Sequence, residues 1–313
     1  MAYSRITNSY LSQSILSNTM MNQSKYVSLN FQYSTQKKVN NLSDDPISLT
    51  SLMNSKNDMS KIDAYLKSVG TSNAQLQMSE STLSLVNKDL DRINQLATQA
   101  ANELNGADEA SDIADEIEES LKNIITLANT KYNGSYLFSG ANVNTPPYAT
   151  DGTNCTYQGT TDADNLQVKV QVSEGSSIVV NENGDGIFGQ YYVDVSGNTV
   201  SQGAIGHVKE LLADLRSTPP NYDNVRAKLD VLKKDMDNVT YYQTKAGTSM
   251  SMLEKTKTQL QSQNISADTL RSTIEDANLV EIASKMQYQQ FALQASLQSS
   301  TNVLQQSLLN YMQ

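Results

Sequence analysis

With one cysteine, one histidine and no tryptophan, this chain holds little of the equipment of catalysis. Cys155 alone can make neither an internal disulfide nor a cysteine-based metal cluster. A hydrolase needs a nucleophile held against a base, and His207, the only histidine, reads instead as a solvated residue in the first turn of a helix. There is no glycine-rich phosphate loop followed by lysine, and no Cys/His spacing that suits a metal. Asn181-Glu-Asn-Gly-Asp-Gly186 begins like a calcium loop, but Tyr192 stands at the twelfth position, where an EF-hand needs glutamate. A turn between strands is the reading for that segment. Pairs such as Glu118-Glu119 read as solvated helix faces. No catalytic, cofactor or metal site is expected, and the chain is not expected to be an enzyme.

Apolar residues are also scarce, at 38%, and aromatics make up 6%. A single large core is excluded at that content over 313 residues, whereas thin helical bundles need only about two apolar positions in seven. Tyrosine outnumbers phenylalanine by 16 to 4, which suits surfaces that are half wet and half buried. The net charge is −10 with no basic cluster beyond Lys37-Lys38. A nucleic-acid partner, which needs a phosphate-neutralising patch, is argued against, and so is a membrane surface. No run approaches the roughly 20 apolar residues of a membrane span. The first ten residues have no apolar core of a cleaved secretory signal, so any export is expected to use a route that does not read one.

Glycine and proline divide the chain. Eleven of the 14 glycines lie between Gly134 and Gly206, and four of the five prolines between Pro146 and Pro220. The pattern is helix, a β-rich insert, then helix. Ser43, Asp44, Asp45 and Pro46 form a helix start, with capping oxygens, acids at the positive helix end and proline in the first turn. An interruption of the following helix is expected near Gly70. Leu83, Val86, Leu90, Ile93, Ala97, Ala100 and Leu104 then form a heptad seam that Asn105-Gly106 stops. Asp108 is placed to cap a helix with Ile113, Ile117, Leu121, Ile124 and Ala128 on one face, which Asn133-Gly134 ends. A second long seam runs through Val225, Leu229, Leu232, Met236, Val239, Ala246, Met250, Leu253 and Leu260, with Gln243 and Lys257 as polar interruptions, and a break is expected between Asn264 and Asp268. In the insert, Leu166, Val168, Val170 and Val172 alternate as in a half-buried strand. Ser177-Ile-Val-Val-Asn181 and Gln190-Tyr-Tyr-Val-Asp-Val195 are further strand candidates.

Charge is missing from both ends. Met286 to Gln313, 28 residues, contain no Asp, Glu, Lys or Arg, and neither does Ile6–Ser24 or Tyr26–Gln36. Yet Leu279, Ile282, Met286, Leu293, Leu297, Leu304, Leu308 and Tyr311 fall at helical steps, with Gln290 and Ser300 filling the gaps. A solvated helix normally carries charge on its outer face; a neutral one suits a crowd of other helices, because a buried unpaired charge costs several kcal/mol or more. The two ends are therefore expected to be buried together in an assembly, becoming ordered as they assemble, since isolated helices are marginal. Ile282, Met286, Leu293, Leu297, Leu304, Leu308 and Tyr311 are the expected assembly interface.

Three stretches resemble one family. Ser34-Thr-Gln-Lys-Lys-Val-Asn-Asn-Leu-Ser-Asp-Asp-Pro46 is similar to the N-terminal signature of the bacterial flagellin superfamily, and Arg271-Ser-Thr-Ile-Glu-Asp-Ala-Asn-Leu-Val280 to its C-terminal signature. Asn133-Gly-Ser-Tyr-Leu-Phe-Ser-Gly140 with Pro146-Pro-Tyr148 resembles a passage of the superfamily's hook–filament junction branch, and Cys155-Thr-Tyr-Gln-Gly159 and Val180–Gly189 extend the likeness. Two departures stand out: flagellin signatures usually carry Gly and Arg where this chain has Gln36 and Lys38, and flagellins tend to end in Leu-Leu-Arg where this chain ends Leu309-Asn-Tyr-Met-Gln313. The second departure favours the junction branch over filament flagellin, which is the alternative.

The resemblance implies a mainly α fold with a β insert, an elongated helical coiled-coil bundle made by the N- and C-terminal segments. It implies a terminal helical pair from 1–42 and 268–313 at the inner core of a tube, a bundle from 43–140 and 205–267, and an outward β-rich domain at 141–204. Implied partners are further copies in a ring, hook-associated protein 1, flagellin, the flagellar type III export apparatus, and an export chaperone on the C-terminal segment. The implied place is extracellular, at the hook–filament junction of the flagellum. Asp44 and Asp45 would cap the helix at the boundary between shells.

Overall fold

The computed structural model describes residues 8–41, 44–101, 107–160, 167–194 and 196–311, with side chains undescribed at 8–9, 11–12, 107–108 and 303–311. The elements are α1 (Asn8–Thr35), α2 (Pro46–Ala100), α3 (Ala107–Ala128), β1 (Lys131–Tyr132), β2 (Ser135–Tyr136), β3 (Tyr148–Thr150), β4 (Cys155–Tyr157), β5 (Lys169–Ser173), β6 (Ser176–Val179), α4 (Gly184–Phe188), β7 (Gln190–Val193), β8 (Thr199–Gln202), α5 (Gly203–Leu215), α6 (Tyr222–Glu275) and α7 (Leu279–Tyr311). They form two compact units, Met1–Lys61 with Gln263–Gln313, and Ile62–Ser262. The fold is a helical bundle with small antiparallel sheets inserted in it.

In the Ile62–Ser262 unit the heptad seams become a core. Leu83, Val86, Leu90, Ile93, Ala97 and Ala100 of α2 are buried together with Val225, Leu232 and Val239 of α6, Ile113, Ile117, Leu121, Ile124 and Ala128 of α3, and Val208, Leu211 and Leu215 of α5. A second cluster is thinner: Ile62, Val69 and Leu76 repeat every seven residues on α2, as do Ala246, Leu253 and Leu260 on α6. With half-buried Leu66 and Met250 between them, the spacing approaches the two-in-seven seam of a coiled coil. The β5–β6 hairpin lays Val172 and Ile178 on it as a third layer.

The junction-like passage lies where the insert meets the helices of this unit. Leu137 and Phe138 are buried, and Phe138 meets Phe188 edge-on at 5.2 Å. Tyr148 packs against both Tyr157 and Phe188. The Tyr157 hydroxyl donates to the Phe138 carbonyl at 3.0 Å. A Cβ at Gly184 would come within 2.8 Å of the same carbonyl and 3.2 Å of both tyrosine rings, so the close approach requires glycine there. The four-stranded sheet has the order β3-β4-β7-β8 and is antiparallel throughout.

Four expectations are corrected. The helix runs through Gly70 without a break; Val69 and Ser72 are buried beside it, and tertiary packing outweighs the intrinsic cost of one glycine, about 1 kcal/mol. α6 continues past Asn264–Asp268 to Glu275, because nothing there removes a helical hydrogen bond and the Ser55 hydroxyl donates to the Ala267 carbonyl at 2.7 Å. Asn133-Gly134 does not end α3, which stops at Ala128; with φ of 50° and 86° these two residues turn the β1–β2 hairpin. The calcium-like segment is a helical start: Asn183 accepts the Asp185 N–H and caps α4. Leu104, Asn105-Gly106 and Leu166 lie outside the described residues, and so does the Asp108 side chain.

Since nothing lies within 4 Å of a Cβ built on Gly70, Gly70→Ala should raise the stability of this unit by about 0.5–1 kcal/mol, read as a higher denaturation midpoint with an unchanged slope.

Candidate assembly surface

α1 and α7 pair antiparallel along one narrow seam. On α1 the covered positions are Ile15, Thr19, Asn22, Tyr26, Leu29 and Gln32; on α7 they are Ile282, Met286, Gln289, Leu293, Ser296 and Ser300. The steps of three and four match a two-helix contact. Half of the seam is polar. The Asn22 amide donates to the Ser296 hydroxyl at 2.6 Å, and the Gln289 amide donates to the Asn22 side-chain carbonyl at 3.0 Å. Thr19 and Ser300 share a hydroxyl contact at 3.2 Å.

The expected interface residues divide here. Ile282 is buried, and Met286 and Leu293 are half-buried in the intrachain seam. Leu297 is 51% exposed and faces away from α1. The seam takes Gln289 and Ser296 where the sequence stripe has Gln290 and Leu297. Leu304, Leu308 and Tyr311 belong to α7, with side chains outside the described residues. Among the described residues the outer surface of the pair carries Lys25, Glu281 and Lys285 as its charges and many large apolar side chains: Leu16, Met20, Met21, Val27, Phe31, Val280, Tyr288 and Phe291 are all at least half exposed. A shallow groove of about 580 Å³ runs between Leu29, Lys25 and Ser28 on one side and Ser284, Tyr288 and Gln289 on the other.

The two signature passages meet at the base of this pair, within the same unit. α1 ends at Thr35, and Gln36 takes φ of 59°, the left-handed exit that glycine favours. Its carbonyl accepts the Ala277 N–H at 3.0 Å, and the Lys38 N–H donates to the Glu275 carbonyl at 2.7 Å. Lys37 and Asp276 form the bridge between these bonds. The Asn278 side chain then caps α7 by accepting the N–H groups of Val280 and Glu281. On the other arm, Asp45 caps α2: it accepts the Ser48 N–H at 3.0 Å and the Ser48 hydroxyl at 2.6 Å, with Pro46 as the first helical residue. Asp44 does not cap α2. It stands one residue too early, and its carboxylate reaches back to the N–H groups of Asn40 and Asn41 at 3.0 and 2.8 Å, tying the loop. Ser43 lies outside the described residues.

At the centre is Glu275, whose side chain is 4% exposed. Lys37 and Lys56 reach one carboxylate oxygen at 2.6 and 2.9 Å, and Arg271 reaches the other at 3.2 Å. Burial pushes this acid up, but the hydrogen bonds from Lys37, Lys56 and Arg271 outweigh it and hold the pKa down to about 2. Sequence reasoning missed this centre. The signal was present in the i, i+4 pairing of Arg271 with Glu275 and in Lys37 of the opposite signature.

No group of three or more His, Cys, Asp or Glu side chains is placed to hold a metal among the described residues. His207 is not in a first turn: it is the fifth residue of α5, three-quarters buried, with Nδ1 2.8 Å from Asp235 Oδ2. Burial pushes the Cys155 thiol up to about 11, which leaves it unreactive. No helix is long and apolar enough to cross a membrane among the described residues.

Two outcomes follow from the joint. Because the folded pKa of Glu275 lies below its ordinary value of 4.5, its contribution is complete above about pH 4.5 and is lost as pH falls toward 2. Protection of the 271–278 amides, taken relative to the intrinsic exchange rate at each pH, should therefore fall on acidification, and Glu275→Gln should remove most of that pH dependence. At Gln36, glycine should be neutral or stabilising by up to about 1 kcal/mol, whereas Gln36→Val should cost more than about 1 kcal/mol, both read by denaturant unfolding.

The family described as the bacterial flagellin N-terminal helical region matches residues 6–143. The chain is 25% identical over 301 residues to flagellar hook-associated protein 3 of Escherichia coli strain K12, across 90% of this chain and 91% of that protein. It superposes on the FlgL structure of Bacillus cereus with a TM-score of 0.56 at 26% identity, over 71% of this chain and 100% of that one. The fold is shared with the flagellar junction protein FlgL of Legionella pneumophila, at a TM-score of 0.57 and 15% identity over 72% of this chain and 100% of that one. The chain is thus similar to flagellar hook-associated protein 3 over nine-tenths of its length, and its first part matches the flagellin N-terminal helical region.

Proposed function

We propose that this chain is a structural junction protein of the bacterial flagellum, polymerising as a layer between the hook-associated protein 1 layer and the flagellin filament. One observation carries the reading: the α1–α7 pair buries a single seam and leaves its large apolar residues outside, on helices almost without charge. Burying a leucine or phenylalanine contributes roughly 1.5–3 kcal/mol, and neighbouring helices can supply that cover. Copies of the same pair are the natural neighbours, because neutral helices approach one another without repulsion between like charges. Repeated heterologous contacts of this kind build a ring or tube. The interface is Ile282, Met286, Leu293, Leu297, Leu304, Leu308 and Tyr311, with Leu297 on the outer side and Ile282 and Met286 holding the pair itself. The relation to hook-associated protein 3 over nine-tenths of both chains supports the junction role over that of filament flagellin.

In this reading the terminal pair forms the inner core, the helical bundle the next shell and the β-rich insert the outer one. The chain leaves the cell through the flagellar type III apparatus, with a chaperone on its C-terminal segment beforehand. A pair held by a half-polar seam opens at little cost, which suits transit through a narrow channel. The work is mechanical, and no reaction is assigned.

Leu297→Asp is the test. The intrachain seam does not use this side chain, so circular dichroism and the unfolding midpoint should match the parent within about 0.5 kcal/mol, while attachment of filaments to hooks and motility should be lost. Normal motility with Leu297→Asp would contradict the interface. A deletion strain separates the two appendage roles: loss of a junction protein spills flagellin into the medium, whereas loss of flagellin leaves none to spill.

A further inference from the structure

We propose that Asn22, with Gln289 and Ser296, fixes the register of the terminal helix pair. The inference deepens the assembly reading and concerns the same surface, but its physical basis lies within one chain. A uniformly apolar seam is degenerate: sliding one helix by seven residues returns apolar to apolar, and nothing in the burial of area distinguishes the two alignments. A directional polar contact breaks that degeneracy.

Near the joint, Leu29 and Tyr26 share the α1–α7 seam with Ile282 and Met286. Further along, polar residues alternate with Leu293 and Ile15. Asn22 donates its amide to Ser296 and accepts from Gln289, so both functions of one side chain are satisfied by α7. Gln289, 9% exposed, also donates to the Asn22 backbone carbonyl at 3.2 Å. Thr19, 8% exposed, faces Ser300 one step further on. A slip of one heptad in one direction sets Asn22 against Ile282 in place of Ser296 and Thr19 against Leu293. The opposite slip sets Asn22 against Val303 in place of Gln289. Either way a half-buried amide loses one of its two partners, and an unmet buried polar group costs more than the hydrogen bond was worth. Register matters beyond the pair, because it sets which exposed residues of α1 and α7 lie side by side.

Disulfide trapping in the full chain tests this. Thr19→Cys with Ser300→Cys reports the native alignment. Ser12→Cys with Ser300→Cys reports a slip of one heptad one way, and Thr19→Cys with Ser307→Cys reports the other. Cys155 is buried and stays silent. With the network intact, the native pair should cross-link at least tenfold faster than either slipped pair. With Asn22→Leu and Gln289→Leu, one or both slipped pairs should come within threefold of the native one, at unchanged or higher helix content. Native-only trapping in that double variant would overturn the proposal, and so would equal trapping of all three pairs in the parent. If the double variant loses helix, Ser296→Ala decides: it removes one hydrogen bond without adding bulk, and a trapping ratio equal to the parent's would sink the idea. A chain that traps in register yet fails to sit at the hook tip would contradict the assembly role while leaving the register assignment standing.

Discussion

Two helices can bury only one seam. That limit governs the terminal pair, because each helix has about two positions in seven covered by its partner and the other five open. In α1 and α7 those open positions hold Met20, Met21, Phe31, Tyr288, Phe291 and Leu297 in a field of Gln, Ser and Asn. Water solvates such a surface without gaining from it, and further helices gain from it at once. In the Ile62–Ser262 unit the same limit is met differently. Where α2 and α6 run as two strands alone, the β5–β6 hairpin supplies Val172 and Ile178 as a third layer; elsewhere α3 and α5 complete a four-helix core. In the proposed assembly, neighbouring helices would supply the third layer to the terminal pair.

Charge follows the same division. The uncharged stretches stop at the joint, where Lys37, Lys56 and Arg271 converge on Glu275. A buried carboxylate is costly unless it is matched, and here three cations and a backbone pairing on either side of it match it. Side chains that approach one another from the segment after α1, from α2 and from α6 in this way are fixed in direction as well as in distance. An apolar patch there would hold the strands together but let them rotate. The signature residues therefore act as a geometric fixture: Gln36 supplies the left-handed exit, Asp44 ties the loop, Asp45 starts α2 and Asn278 starts α7.

The long seams were legible because their alternatives were poor. Leu83 to Ala100 and Val225 to Leu260 place apolar residues at heptad positions against charged faces, so only one side can go inward, and it does. The stripe of α7 was not legible to the same accuracy. Gln290 and Leu297 fit the helical period as well as Gln289 and Ser296 do, and with no charge on any side the sequence does not say which face is dry. Helix ends were misjudged for a related reason: Gly70 and Asn264–Asp268 are weak local signals that burial of Val69, Leu260 and Ser55 overrides. Asn133-Gly134 was recognised as a stop, but its two positive φ values mark a hairpin. Arg271 was within local reach of Glu275, but the centre was hidden because the other two partners, Lys37 and Lys56, lie more than 200 positions away along the chain.

A half-polar seam beside an exterior rich in large apolar side chains is unusual for a pair meant to be stable by itself, and the arrangement is informative. Packing leucines inside and glutamines outside would give a pair that holds alone and offers nothing to a neighbour. Asn22, Gln289, Ser296, Thr19 and Ser300 inside give direction and alignment at small net stability, since a satisfied hydrogen bond contributes only about 1 kcal/mol. Leu16, Val27, Phe31, Phe291 and Leu297 outside reserve the larger hydrophobic gain for contacts with other helices. In the proposed assembly the pair would thus be aligned by its interior and stabilised by its surroundings, its stability rising with the number of neighbours.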